Sequence, residues 1–159
     1  MESFRTGFEK LSFIFKSSPE SRVTIVSPML REETASFIKG KKINYIQDKY
    51  KKSDLENAHI VIATTDSPEV NQKVFADCRE KNILVNVADR PSQCDFYMGG
   101  IVTKGNLKIG ISTNGKSPTF AKRLRQWLEN FLPEQIDDIL NKLYIYRSQI
   151  KGDFEQKVE

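Results

Sequence analysis

The sequence predicts an α/β protein built on a doubly wound parallel sheet, followed by a β-hairpin and short C-terminal helices. Two observations carry this. Short β-branched runs at Arg22-Val23-Thr24-Ile25-Val26, His59-Ile60-Val61-Ile62-Ala63 and Ile83-Leu84-Val85-Asn86-Val87 alternate with helical patterns at residues 31–39 and 68–81. The first two runs close on Ser27-Pro28 and Thr64-Thr65-Asp66-Ser67-Pro68, and strands that recur with helices between them pair in parallel through crossovers.

Taken in order, residues 8–16 carry an apolar helical face. The run at 22–26 and that at 59–63 read as strands buried on both faces, and Lys42-Ile43-Asn44-Tyr45-Ile46 as a weaker, edge-like strand. Ser67 is placed to cap a helix whose first residue is Pro68. After Asp89 the pattern changes: Gly100-Ile101-Val102-Thr103 and residues 107–112, joined through Lys104-Gly105-Asn106, predict a β-hairpin. A helix follows from Ser117 and Pro118, with Phe120, Ala121, Leu124, Trp127, Leu128 and Phe131 at helical spacing, a stripe suited to a core or a subunit interface. Pro133 ends it, and a last amphipathic helix carries Ile136, Ile139, Leu140, Leu143 and Tyr144 before a charged tail.

Composition narrows the function classes. The chain has 159 residues, enough for one compact domain or a small domain plus an appendage, and 25 Lys and Arg against 21 Asp and Glu give a formal charge of +4. That mild excess suits a solvated surface and lacks the dense Arg clusters of a nucleic-acid binder, so no nucleic-acid partner is expected. No long apolar run or signal peptide is present, so no membrane partner is expected and a reducing cytoplasm is the default. Cys78 and Cys94 are too few for a disulfide framework or a cysteine metal site and read as small buried hydrophobes, while His59 at a strand start suits a structural or surface role.

In an open parallel sheet, ligands collect beyond the carboxyl ends of the strands. Ser27-Pro28-Met29, Thr64-Thr65-Asp66 and Ala88-Asp89 all fall at such ends and are expected to line one crevice. The polar loop Ile111-Ser112-Thr113-Asn114-Gly115-Lys116-Ser117-Pro118 runs from a strand into a helix, which suits anion binding, with Lys122, Arg123 and Arg125 adding positive potential nearby. Lys116 is the strongest cation candidate because it lies in the loop, whereas Lys122 and Arg125 suit a solvated helix face.

These segments, in this order, resemble the siroheme synthase N-terminal domain family, precorrin-2 dehydrogenase and sirohydrochlorin ferrochelatase. The resemblance rests on Val23-Thr24-Ile25-Val26-Ser27-Pro28, Asp54-Leu55, Ala63-Thr64-Thr65-Asp66 with Asn71, Asn86-Val87-Ala88-Asp89, Asp95-Phe96, and the loop at 112–118 leading into Leu124-Arg125 and Leu128. It implies a Rossmann-like NAD-binding domain at residues 1–98, a dimerisation segment at 99–132 and a helical part at 133–159. It also implies a cytoplasmic homodimer that oxidises a tetrapyrrole, precorrin-2, to sirohydrochlorin with NAD, some members then inserting ferrous iron. Asp89 is then the catalytic position, its carboxylate able to take a ring proton as hydride leaves or pyrrole protons as metal enters; the residues alone equally allow a helix cap or turn. Arg5, Thr6, Ser27, Pro28, Met29, Thr64, Thr65 and Asp66 are the expected cofactor contacts, and Asn114, Lys116 and Ser117 the expected contacts to substrate carboxylates. No resident metal site is expected.

The resemblance has breaks. Family members open with a strand and a Gly-Gly-Gly turn at the pyrophosphate, whereas here Glu2-Ser3-Phe4 fall at the glycines and only Gly7 remains flexible, so the start is expected to be truncated. No acidic residue follows Val26 to hold a ribose, a feature the family shares. Gly99 stands at a usual proline and Asn114 at a usual glycine, a substitution that Asn tolerates in the left-handed conformation. A second class of function stays open on these grounds: a non-catalytic or chelatase-only dimeric member that binds tetrapyrrole or metal but not NAD.

Overall fold

The fold is known from a computed structural model that describes residues 3–150, with side chains from residue 7 onward. It divides into two units after Met98. In the first unit α1 (Ser3–Ser17) is followed by β1 (Val23–Val26), α2 (Glu32–Ile38), β2 (Ile43–Ile46), a 3-10 turn at Lys52–Leu55, β3 (Ile60–Ala63), α3 (Pro68–Glu80) and β4 (Leu84–Val87). In the second, β5 (Gly100–Lys104) and β6 (Leu107–Ile111) form a hairpin and lead to α4 (Pro118–Phe131) and α5 (Ile136–Gln149). The parallel α/β architecture is the one the alternation of strands and helices predicts.

The sheet of the first unit is interrupted. β1 pairs in parallel with β2 from Val23 opposite Ile43 to Val26 opposite Ile46, and β3 pairs in parallel with β4 from Ile60 opposite Leu84 to Ala63 opposite Val87. Among the described residues no ladder joins the two pairs. Burial follows the same division. Leu55, Ala63, Val74, Cys78, Val85 and Val87 form the core, all on the side of β3, β4 and α3, with Val85 and Cys78 wholly inaccessible. The expectation that the runs at 22–26 and 59–63 are buried on both faces is corrected here. No residue of β1 is buried, and Ile60 is 57% exposed, because neither strand has neighbours on both edges.

α1 begins earlier than its apolar pattern at 8–16 predicts, so Arg5 and Thr6 lie in its first turns rather than in a loop; their side chains fall outside the described residues. Its face packs through Phe8 and Phe15 edge-on against Phe37 of α2, at 5.4 and 6.2 Å between centroids, with Leu11 buried beneath. Helix and loop approach closely at residue 7, where a Cβ would meet Thr64 Oγ1 at 3.1 Å.

α3 starts as its sequence signals: the Ser67 hydroxyl accepts the Val70 N–H at 3.3 Å and Pro68 opens the first turn. Its inner face delivers Val74 and Cys78 to the core, where burial pushes the Cys78 thiol up to about 11. β4 is secured on its far edge by the segment that follows it. Asp95, 14% exposed, accepts the Val85 N–H at 3.0 Å through Oδ2 and pairs with Arg79 at 2.7 Å through Oδ1. Asn86, buried within β4, donates to Phe96 O at 2.8 Å. Cys94 is half-buried and its thiol lies 3.2 Å from Val87 O, so it serves the turn after β4 as well as packing. His59 is exposed at the start of β3.

The second unit is held around Val102 and Ile111. Gly99 has a steric reason to be glycine: a Cβ there would lie 2.6 Å from the Ile111 carbonyl. The hairpin turn docks on the start of α5, where Asp137 accepts from the Asn106 N–H and side-chain amide at 2.7 and 2.8 Å. Lys104 donates to Leu132 O at 2.9 Å, stitching the hairpin to the end of α4. The α4 stripe divides: Ala121, Leu124 and Leu128 are half-buried, while Phe120, Trp127 and Phe131 are exposed, the last two stacked at 4.9 Å.

Asp95 offers a direct test of what holds β4 in place. Asp95→Ala strands a buried backbone N–H and should cost about 1–3 kcal/mol of unfolding free energy by urea titration. Arg79→Ala, at a side chain 54% exposed, should cost less, because water screens that pair.

Candidate functional site

Three of the loops that leave the carboxyl ends of strands in the first unit, those after β1, β3 and β4, concern the site, and each is held in shape by its own bonds. After β1, the Ser27 N–H donates to Ile46 O at 3.1 Å, the Ser27 hydroxyl donates to Met29 O at 2.7 Å and the Tyr45 hydroxyl donates to Ser27 O at 3.0 Å. Pro28 sits inside this closed turn, and Met29 projects outward, 75% exposed.

After β3, the loop is organised by a residue of α3. Asn71, buried, accepts from the Thr65 N–H at 3.2 Å and the Thr65 hydroxyl at 2.8 Å, and donates to Thr65 O at 2.9 Å. One amide side chain thus engages both backbone groups of a loop residue, as a short strand would. Thr64 faces α1 at Gly7, and Asp66 is exposed at the tip. Asn71 appears in the sequence only as one residue of a motif; the periodicity of α3 places it on the buried face without showing what it binds.

After β4, the Ala88 N–H donates to Ala63 O at 2.9 Å, carrying the ladder one residue past β4 and bringing this loop beside that of Thr64 and Thr65. The next residue, Asp89, turns sharply with φ of 59°, a conformation that Asp adopts more readily than bulkier residues. It is neither an N-cap nor buried: Arg90 precedes the following 3-10 turn, and the Asp89 carboxylate is exposed with no hydrogen-bond or ion-pair partner among the described residues. The turn directly after β4 thus leaves an exposed carboxylate at the carboxyl end of that strand.

The fourth part of the site is the start of α1. Gly7 against Thr64 brings the N-terminal half of this helix beside the carboxyl end of β3, and the first N–H groups of a helix favour an anion. Backbone donors, hydroxyls and a helix start gathered at strand ends fit the phosphates and ribose of a dinucleotide, although a Gly-rich turn is not among them.

The expected substrate contacts lie in the second unit. Asn114 has φ of 50° and Gly115 of 76°, so Asn does take the left-handed conformation, its N–H donating to the Ser112 hydroxyl at 3.2 Å. The Lys116 N–H donates to Thr113 O at 3.0 Å, leaving the Lys116 side chain exposed. Ser117 caps α4 by accepting the Phe120 N–H at 3.3 Å, so its hydroxyl oxygen is committed to the helix. The cations nearby separate by role. Arg125 pairs with Glu129 at 2.7 Å, whereas Lys122 and Arg123 line an open cavity with Pro118, Thr119 and Gln126.

Parallel strands, crossover helices and ligand loops at the carboxyl ends define a nucleotide-binding α/β protein. More particularly, the chain belongs to the putative NAD(P)-binding family, whose model matches residues 5–100, and residues 104–130 match the model of a sirohaem biosynthesis protein's central part. It is similar to the siroheme synthase of Psychrobacter arcticus, 34% identical over 136 residues, which are 86% of this chain and 24% of that one. The siroheme synthase of Pseudoalteromonas translucida is 32% identical over 149 residues, 94% of this chain and 31% of the relative. The chain therefore spans about a quarter to a third of these curated relatives. Its fold is that of SirC, a precorrin-2 dehydrogenase, with a TM-score of 0.64 at 22% identity over 84% of this chain and 67% of that one. No helix among the described residues is long and apolar enough to cross a membrane.

The Asn71 clamp predicts a separable effect. Asn71→Ala should lower stability by about 1–2 kcal/mol and weaken nucleotide binding by roughly tenfold, as the Thr65 loop loses its bonds. Calorimetric titration with NAD, alongside thermal melts, checks both.

Proposed function

We propose that this chain carries out NAD-dependent oxidation of precorrin-2 to sirohydrochlorin, in siroheme biosynthesis. The observation that carries the reading is the unpartnered Asp89 carboxylate, turned out of β4 beside loops shaped for a dinucleotide. The family membership and the similarity to siroheme synthases support it.

In this reading Ser27, Pro28 and Met29 form the wall for the adenosine half, with Thr64, Thr65 and Asp66 contributing hydroxyl and backbone contacts to ribose. The start of α1, with Arg5 and Thr6, seats the pyrophosphate. When bound, NAD supplies the acceptor for the hydride that leaves the tetrapyrrole. Asp89 takes the accompanying ring proton and passes it to water, so that substrate loses one hydride and one proton in total. Asn114, Lys116 and the turn before α4 receive substrate carboxylates, Lys116 by charge and Ser117 by ordering the helix start. Ferrous iron insertion would draw on the same carboxylate, which can accept pyrrole protons as the metal enters. Iron is a substrate in that step, and binding of iron without turnover, or binding of tetrapyrrole without NAD, would favour the chelatase-only or non-catalytic reading.

The exposed aromatic face of the second unit supports a homodimer. Phe120, Trp127 and Phe131 on α4 present apolar surface of the kind that pairs with a second copy. A cytoplasmic location fits a chain with reduced cysteines and a nicotinamide-dependent reaction.

Two outcomes are expected. Incubation with precorrin-2 and NAD should give sirohydrochlorin and NADH absorbance in step, and Asp89→Asn, which tolerates the same backbone turn, should reduce kcat by about 10²- to 10⁴-fold with an unchanged melting temperature. Retention of activity in Asp89→Asn would remove Asp89 from the chemistry. Separately, Trp127→Glu with Phe131→Lys should convert a dimer to monomer in sedimentation equilibrium while the circular dichroism spectrum is kept.

A further inference from the structure

Asp89 stands at the most constrained point of the loop after β4. The Arg90 N–H donates to Val87 O at 3.3 Å, closing a four-residue turn in which Asp89 is the third residue, with φ of 59°. Ala88 before it does not have a positive φ, and a turn with positive φ at its third residue alone is filled most readily by glycine or asparagine. Aspartate is allowed there, but such a turn does not select it, so contacts beyond its own preference have to keep this backbone in place.

Cys94 supplies such contacts. Its Sγ lies 3.2 Å from Val87 O and 3.3 Å from Arg90 O, the two carbonyls that bracket Ala88 and Asp89, so the single thiol hydrogen is shared between them. The sulfur in turn accepts from Asn86 Nδ2 at 3.4 Å, and the same amide donates to Phe96 O at 2.8 Å. Asn86 is buried within β4 and also bridges to Cys94 through the backbone, which fixes the thiol against the strand. The chain that returns along β4 is anchored separately, by Asp95 on the Val85 N–H. The turn therefore hangs between a fixed strand and a fixed return, and the thiol joins its two ends.

We infer that Cys94 is a positioning residue for Asp89: its thiol ties the carbonyls on either side of the left-handed turn and so fixes where the carboxylate stands at the carboxyl end of β4. The sulfur acts as donor and spacer and takes no part in a bond-forming step. Alanine at this position would lack the donor and leave Val87 O and Arg90 O with the Arg90 and Gln93 N–H groups alone. Serine would keep a hydrogen to donate, on a shorter side chain but from a stronger donor. The consequence for catalysis rests on the oxidation proposed above, in which Asp89 takes the ring proton. Proton transfer slows when the base is displaced, whereas cofactor binding should be spared, because the bonds of Cys94 run to the turn and to β4 and not to the loops after β1 and β3.

Amide exchange followed residue by residue on the full chain tests the geometry without any ligand. Cys94→Ala should speed exchange of the Arg90 and Gln93 amides by roughly fivefold. The Val85 and Ala88 amides, bonded to Asp95 and Ala63, should keep their rates. Cys94→Ser should bring the Arg90 and Gln93 rates back to within about twofold of the wild type. Turnover of precorrin-2 with NAD then tests the chemistry. Cys94→Ala should lower kcat by roughly tenfold with KM for NAD unchanged, Cys94→Ser should recover most of that loss, and the alanine change should cost nothing further in an Asp89→Asn background. Unchanged exchange at Arg90 and Gln93 would overturn the inference. So would equal acceleration at Val85 and Ala88, which would mean a loosened strand, or an equal loss of kcat with and without the Asp89 carboxylate. Exchange that behaves as expected in a chain that does not oxidise precorrin-2 would uphold the tie between Cys94 and the Asp89 turn and remove the oxidation reading instead.

Discussion

The β3–β4 ladder is the constraint on which the rest of the first unit depends. It is the one parallel pair whose far edge is also satisfied, by Asp95 accepting from Val85 and by Asn86 reaching Phe96. With its hydrogen bonds accounted for on both edges of β4, α3 can close over it and bury Val74 and Cys78. The loops that matter chemically are extensions of this ladder: Ala88 bonds back to Ala63, so Asp89 and Thr64 leave the sheet side by side. A carboxylate and a hydroxyl loop are thereby presented together without any direct bond between them.

The β1–β2 pair shows what happens without such closure. Its strands have the same β-branched composition, yet none of the β1 residues is buried, because a parallel strand needs neighbours on both edges as well as cover on its faces. The aromatic contacts of Phe8 and Phe15 with Phe37 hold α1 and α2 together on one face and place the start of α1 at the strand ends.

The second unit works by different means. Its hairpin is pinned by polar contacts to the helices, Asn106 to Asp137 and Lys104 to Leu132, rather than by a large core. That economy leaves the aromatic half of the α4 stripe exposed, with Trp127 stacked on Phe131 as a ready surface for association. The polar loop before α4 depends on two left-handed residues, Asn114 and Gly115, to orient Lys116 and cap the helix with Ser117.

By itself the sequence determined the elements and their order, since periodicity, β-branched runs and the Ser-Pro helix starts are local properties that need no partner. It also located the loops at the strand ends, because a strand must stop where its apolar run stops. Tertiary structure alone decided three things. That Asn71 clamps Thr65 depends on two residues meeting across a loop, and an Asn on a helix face has no signature for it. That Asp89 is a free carboxylate in a left-handed turn, and not a cap, depends on the backbone angle at one residue. The resemblance made a missing sheet strand legible, but that no other described segment fills its place depends on hydrogen bonds between strands distant in sequence, which no local run of residues can report.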